Sequence, residues 1–221
     1  MVRSAFILAL QVVSAILLVF AGWGFDNLPA FFDSPARSGL AIATLAAFSA
    51  GILLKIDFNP LRRGETSEAR ENVQLGLLLL LSLALLWFLP FADRRKILTL
   101  RADYWRYIGL LLCCIGIIIR LLALRTLGVH FSAYVTLQPD HRLVQHGIYG
   151  GIRHPLYLSL LLIPTGIALV FDSWFALPIL LLAVVFVFDR IRKEERLLAS
   201  RFTAEFEEYR RRTWRLIPLL F

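Results

Sequence analysis

The chain is short of charge, of cysteine and of lysine. Only 18% of its 221 residues are charged, against about a quarter in a soluble domain. That shortage excludes an ordinary water-soluble fold. The two cysteines, Cys113 and Cys114, are neighbours inside an apolar run. Adjacent residues on a helix point to different faces, so they neither pair nor chelate, and no zinc-ligand spacing is present. No Gly-x-Gly-x-x-Gly lies between a strand and a helix, which excludes the usual dinucleotide fold. Lysine occurs only at Lys55, Lys96 and Lys193. Positive charge is therefore carried by arginine, as in a GC-rich bacterial genome. There is no internal repeat, and the length excludes a transporter built from two large repeats.

What the chain has in quantity is apolar surface. Apolar residues make up 58% and the mean hydropathy is +0.70. This is an all-α integral membrane protein, a helical bundle of about five to six transmembrane segments. The last two form a short helical hairpin, and an amphipathic C-terminal helix follows. The net charge of +8 gathers at the ends of apolar segments. It meets phosphate headgroups there, so nucleic acid is not implied.

Four early spans are predicted, over Ser4–Trp23, Ser38–Leu54, Asn72–Phe91 and Tyr104–Leu124. The first is too long for a signal-peptide core and reads as an uncleaved helix. The run from Pro155 to Phe188 is too long for one straight span. It breaks at Phe171-Asp172-Ser173-Trp174, with Ser173 as the helix cap. Pro155 and Pro178 suit helix starts, and Pro164 kinks the first arm. Residues 189–212 carry an apolar stripe of Ile191, Leu198, Phe202, Phe206 and Tyr209, with a charged opposite face. The end, Trp214–Phe221, dips into the interface or packs on the bundle.

Orientation follows from charge. The basic link 125–153 and the basic tail share one side, cytoplasmic by the positive-inside rule. Six segments then put Arg94-Arg95-Lys96 outside, against that rule.

Two polar islands stand out. One is His141–Tyr157, HRLVQHGIYGGIRHPLY; all four histidines fall in it or just before it. The other is Asp189–Glu195, DRIRKEE. Because the hairpin returns to the same side, the islands are expected to meet in a pocket at the membrane face. Polar groups held there point to function. Gly147, Gly150 and Gly151 either turn a loop or let a ligand approach the backbone. His154 precedes Pro155 at a helix start, as a cap or as a group facing an anion site. Tyr149 and Tyr157 stack on a ring or anchor at headgroup depth. Glu194 is the carboxylate expected to function, with Glu195 a surface residue or a salt-bridge partner. Arg190, one turn before Glu194, either clamps a carboxylate or snorkels.

The pattern H-x-L-V-x-x-G-x-Y…R-H-P-x-Y, an apolar hairpin, then E-E-x-x-L…F-x-x-E-F-x-x-Y and I-P resembles the isoprenylcysteine carboxyl methyltransferase family. It is carried by His141, Leu143, Val144, Gly147, Tyr149, Arg153, His154, Pro155 and Tyr157. Glu194, Glu195, Leu198, Phe202, Glu205, Phe206, Tyr209, Ile217 and Pro218 complete it. One departure is visible: family members often have Phe-Gly where this chain has Phe202-Thr203, which touches packing of the tail.

The resemblance implies S-adenosylmethionine as methyl donor. It implies cofactor contacts at Gln138, His141, Leu143, Val144, Gly147, Tyr149, His154, Pro155, Tyr157 and Glu194, with Gln138 aligned only loosely. Arg190 matches the position that holds the acceptor carboxylate, so Arg190 and Glu194 are the catalytic candidates. The partners implied are membrane lipids and a lipophilic small-molecule or lipid-modified acceptor, without metal or nucleic acid. The division is 1–125, N-terminal transmembrane helices, and 126–221, the catalytic region, within one structural domain. The expected location is the bacterial inner membrane, with the cofactor site on the cytoplasmic side. Three rivals remain: phospholipid N-methyltransferase, sterol-type membrane reductase, and non-catalytic scaffold or small transporter. The middles of the early spans carry no charge, which disfavours transport. The histidine spacings do not fit a di-iron hydroxylase.

Overall fold

A computed structural model describes residues 2–54, 69–128 and 143–218. The apolar runs become helices with nearly the expected bounds. They are α1 (Val2–Trp23), α2 (Leu28–Phe32), α3 (Pro35–Leu53), α4 (Ala69–Arg95), α5 (Tyr104–Leu127), α6 (Pro155–Val170) and α7 (Ala176–Arg212). Three of them, α3, α4 from Gly76 and α5, are long and apolar enough to cross a membrane. A fourth span is made if the end of α1 and the following Phe25–Phe32 segment, bent by 79°, count as one. The protein is therefore a multi-pass integral membrane protein. The bend falls at Gly24, whose φ of 100° favours glycine.

The helix α6 has 16 residues, short of the roughly 20 that span a bilayer. It turns back through residues 171–175 into α7, as the hairpin reading expects. Two details differ. No side chain caps α7, whose N-cap is Phe175. The hydroxyl of Ser173 is buried and has no hydrogen-bond partner among the described residues. The second arm also continues directly into the tail, so hairpin arm and amphipathic helix are one element of 37 residues. It is interrupted only at Thr203 (φ 29°, ψ −98°).

Close packing sets the pairing of helices. α5 and α6 meet over glycine: a Cβ on Gly109 would lie 2.6 Å from the Gly166 carbonyl oxygen, and one on Gly116 would lie 2.8 Å from Ile163. Small residues let backbones approach where lipid supplies no hydrophobic drive between helices. α1 meets α4 the same way, with Gly22 against the Trp87 carbonyl.

The two ends of the bundle differ. At one end Asp93 accepts hydrogen bonds from Arg37 (3.0 Å) and from both terminal nitrogens of Arg106 (2.9 and 2.7 Å). Arg106 also stands 3.6 Å from Asp172 at the hairpin tip. The link after α4 pairs with that tip through Thr99 and Ser173. Arg94 pairs with Asp26. The arginines that appeared to break the positive-inside rule thus include one tied into the fold by a carboxylate. The other end carries the polar islands. There the stripe Ile191, Leu198, Phe206 and Tyr209 is buried, with Phe202 packed beside it.

Candidate functional site

The site is built on the corner where the chain enters α6. Residues Gly147–Gly150 form a 3-10 turn. Gly147 has φ 58°, and a Cβ there would lie 3.0 Å from the Thr126 hydroxyl, so both conformation and space call for glycine. Tyr149 is buried and its carbonyl accepts a hydrogen bond from the Tyr209 hydroxyl at 2.8 Å. Burial, reinforced by the negative charge of Glu194, pushes the Tyr149 phenol well up. Burial likewise raises Tyr209, to about 12. Both remain neutral donors at physiological pH.

A strap from beyond α7 closes over this corner. Trp214 and Ile152 pair in parallel. The Trp214 amide donates to the Gly151 carbonyl (2.9 Å), the Arg153 amide to Trp214 (2.8 Å) and the His154 amide to Arg215 (3.1 Å). The Arg153 guanidinium donates to the Arg210 carbonyl (3.0 Å) and to both oxygens of Thr213. Leu216 is buried among Leu158, Val187 and Ile191, so this segment packs on the bundle. Trp214 and Ile217 stay exposed.

Corner and α7 meet through carboxylates. His154 is 4% exposed and makes no side-chain cap. Its Nε2 lies 3.3 Å from Glu195 and its Nδ1 3.9 Å from Glu194. Glu195 is buried and accepts from Arg153 at 3.2 Å and from Arg215 at 3.1 and 2.8 Å. Burial pushes its carboxyl up, but the hydrogen bonds and charges of His154 and Arg215 outweigh burial and hold it at about 2. Glu195 is thus the salt-bridge partner, not a surface residue. Glu194, its side chain 36% exposed, lies beside the His154 ring and the Tyr157 hydroxyl. Arg190 is buried; its Nε donates to the Tyr157 hydroxyl at 3.3 Å, and its guanidinium lies 5.7 Å from the Phe186 ring centre. The rings of Tyr157 and His154 are 5.7 Å apart.

The structure therefore brings His154, Pro155, Tyr157, Arg190 and Glu194 to one corner, with Gly147 and Tyr149 behind it. Leu143 packs on the tail cluster of Leu198, Phe206 and Tyr209, and Val144 is half-buried beside it in sequence. Gln138 and His141 lie outside the described residues. Sequence reasoning assigned no role to Arg153, Thr213 and Arg215. The R-H-P motif contained Arg153, but no periodicity could place the strap against it. Among the described residues no group of His, Cys, Asp and Glu could hold a metal ion.

This arrangement has relatives. The model of the isoprenylcysteine carboxyl methyltransferase family matches residues 108–200. A protein-S-isoprenylcysteine O-methyltransferase of Saccharomyces cerevisiae is 35% identical over 116 residues, 51% of this chain and 48% of that protein. One from Tribolium castaneum is 32% identical over 51% of this chain and 41% of its own length. The cobalt-zinc-cadmium resistance protein CzcN of Cupriavidus metallidurans is 38% identical over 44% of this chain and 46% of its own. The chain thus spans about half the length of these curated relatives. A solved structure of the eukaryotic intramembrane Ras methyltransferase, an isoprenylcysteine carboxyl methyltransferase, superposes with a TM-score of 0.55 at 20% identity, over 92% of this chain and 73% of that one. The folds correspond, and the matched segment contains the glycine turn, the His154–Pro155 corner, the hairpin and both glutamates. Over residues 108–200 the chain is similar to the isoprenylcysteine carboxyl methyltransferase family.

Proposed function

We propose that the protein transfers a methyl group from S-adenosylmethionine to the carboxylate of a lipophilic, isoprenylcysteine-like acceptor. The observation that carries this reading is the meeting of His154 and Glu194 across the hairpin, at 3.9 Å. Two residues 40 positions apart in sequence form one cradle at the rim of the bilayer. Its donor set fits the cofactor. A half-exposed carboxylate suits ribose hydroxyls or an ammonium, and a helix N-terminus beside a histidine suits a carboxylate. Tyr149 and Pro155 are buried beside them.

The cofactor supplies an electrophilic methyl group on a sulfonium. An acceptor carboxylate is already ionised at neutral pH, so no residue need act as a base. The chain's work is positioning and exclusion of water. Glu194 and His154 hold the donor. Arg190, joined through Nε to the Tyr157 hydroxyl, directs its guanidinium to the acceptor carboxylate. The basic 125–153 link and the basic tail support a site on the cytoplasmic side of a bacterial inner membrane.

The test uses the full chain with methyl-labelled S-adenosylmethionine and either N-acetyl-S-farnesylcysteine or phosphatidylethanolamine. Base-labile label in the farnesylated acid is the expected result. Base-stable label in the lipid would move the activity to amine methylation. Arg190→Ala should abolish ester formation while leaving cofactor Kd within about twofold. Glu194→Gln should weaken the cofactor about tenfold, the worth of one charge-assisted hydrogen bond.

A further inference from the structure

The outer side of the strap takes no part in the chemistry above. Residues 210–217 read RRRTWRLI, and the fold sorts them into two sets. Thr213 and Leu216 are buried, and Arg215 turns its guanidinium inward to Glu195. Arg210, Arg211, Arg212, Trp214 and Ile217 are exposed.

The packing of Leu216 fixes the depth of the exposed set. Leu216 lies among Leu158, Val187 and Ile191. Leu158 is in the first turn of α6. Val187 belongs to the apolar arm of α7, which shows Leu181, Leu182 and Val185 outward. The strap therefore runs back from the end of α7 to the depth at which α6 enters the bilayer. Trp214 and Ile217 flank Leu216 at that depth, and the three arginines precede them on the water side. An indole and an aliphatic side chain at the rim, with guanidinium groups just above, make up a segment that lies in the headgroup layer.

The charge of this stretch complements phosphate. From Glu207 to Arg215 four arginines stand against two glutamates. The pairs Arg210–Glu207 (3.4 Å) and Arg212–Glu208 (3.7 Å) are open to solvent, so they hold these arginines weakly. Arg211 stands between them. Basic residues on the cytoplasmic side are ordinary in membrane proteins. Scattered charge does not explain an exposed tryptophan within the same short stretch. A soluble protein does not fit either, because Trp214 sits at lipid depth.

The inner side of the same residues closes the corner. The backbone of Trp214 and Arg215 pairs with Gly151, Arg153 and His154. The Arg215 guanidinium holds Glu195, which contacts His154. One short segment thus touches lipid on one side and the α6 corner on the other.

We propose that the strap binds the headgroup of an anionic phospholipid through Arg211, Arg212 and Trp214, and that this lipid keeps the α6 corner closed. A ligand that binds only the docked strap stabilises the docked state by mass action. Lipid on the outer side and any ligand of the closed corner then favour each other reciprocally.

The test uses the full chain, without cofactor, in nanodiscs of phosphatidylcholine alone or of phosphatidylcholine and phosphatidylglycerol in equal parts. Amide hydrogen exchange at Arg153, His154 and Trp214 reads closure of the corner. It should slow about fivefold with phosphatidylglycerol, the worth of one arginine at an anionic surface. Arg211→Gln should lose most of that slowing and Arg211→Glu all of it, while exchange in phosphatidylcholine stays at the wild-type rate. Brominated phosphatidylglycerol should quench Trp214 more than brominated phosphatidylcholine does, read as the difference between wild type and Trp214→Phe. Exchange that ignores the lipid, slowing that survives in R211E, or equal quenching by both lipids overturns the proposal. So does inorganic phosphate that slows exchange in phosphatidylcholine discs to the same degree, which would make the ligand a free anion. Adding S-adenosylmethionine separates this proposal from the methyltransferase reading. A chain that shows both lipid effects yet binds no cofactor loses that reaction and keeps the lipid site. A chain that methylates the farnesylated acid with neither lipid effect does the reverse.

Discussion

At the residue scale, two adjacent glutamates show how neighbours in sequence acquire different chemistry. Glu195 lies among Arg153, His154 and Arg215 and is buried; Glu194, one position earlier, is partly exposed. The pair E-E was legible as important, yet its division of labour was not, because it depends on which side of α7 meets a strap some 20 residues downstream. The Glu195 carboxyl titrates at about 2 when folded, against an ordinary value of 4.5. Its contribution to stability is therefore complete above pH 4.5 and disappears as the pH falls toward 2. Glu195→Ala strands Arg153 and Arg215, and is expected to cost about 3–5 kcal/mol. Glu195→Gln should cost less and should flatten the loss of stability across that acid window. Thermal melting in detergent from pH 7 to pH 2 reads both; identical acid limbs in wild type and E195Q would contradict the assignment.

At the element scale, the last long helix carries a strained joint. Thr203 holds φ 29° inside α7, in the region that suits glycine. This is the position where relatives often place Gly after Phe, and the departure visible in the sequence now has a conformational meaning. The side chain is exposed, so a substitution there disturbs backbone preference and little else. Thr203→Gly should raise stability by about 1 kcal/mol, the usual cost of a non-glycine residue in this conformation. That corresponds to roughly 2–4 °C in melting temperature for a chain of this size. A lower melting temperature would show that the joint is not strained. The element boundaries themselves were legible, since apolar runs separated by charge leave little freedom. The continuity of hairpin arm and tail was not. Asp189–Glu195 looks like a border between lipid and water, but a border of polarity need not be a break in hydrogen bonding.

At the scale of the whole molecule, the bundle is fastened at both ends by ions. The far end joins α3, α4, α5 and the hairpin tip through Arg37, Asp93, Arg106 and Asp172. The near end joins the α6 corner, α7 and the strap through Glu195. Between them runs α6, about 24 Å of helix. Asp93→Asn would leave Arg37 and Arg106 with a weaker acceptor, and should cost about 2–4 kcal/mol. Its cofactor affinity, measured below the new melting temperature, should stay within about twofold, because the cradle is held independently at the other end. A tenfold loss of affinity would mean that the two fastenings act as one. None of this network was legible from the sequence. Its members come from four separated segments, and no spacing in the sequence links them.

The strap has a consequence in time. The amide of His154 is paired by Arg215, and the corner of Arg153 is filled by Thr213. A ribosome that has threaded the hairpin into the bilayer but has not yet delivered this downstream stretch holds an unfinished pocket. The nascent chain cannot close this corner until residues 213–215 emerge, and a proteolytic nick after Arg212 would leave it open again.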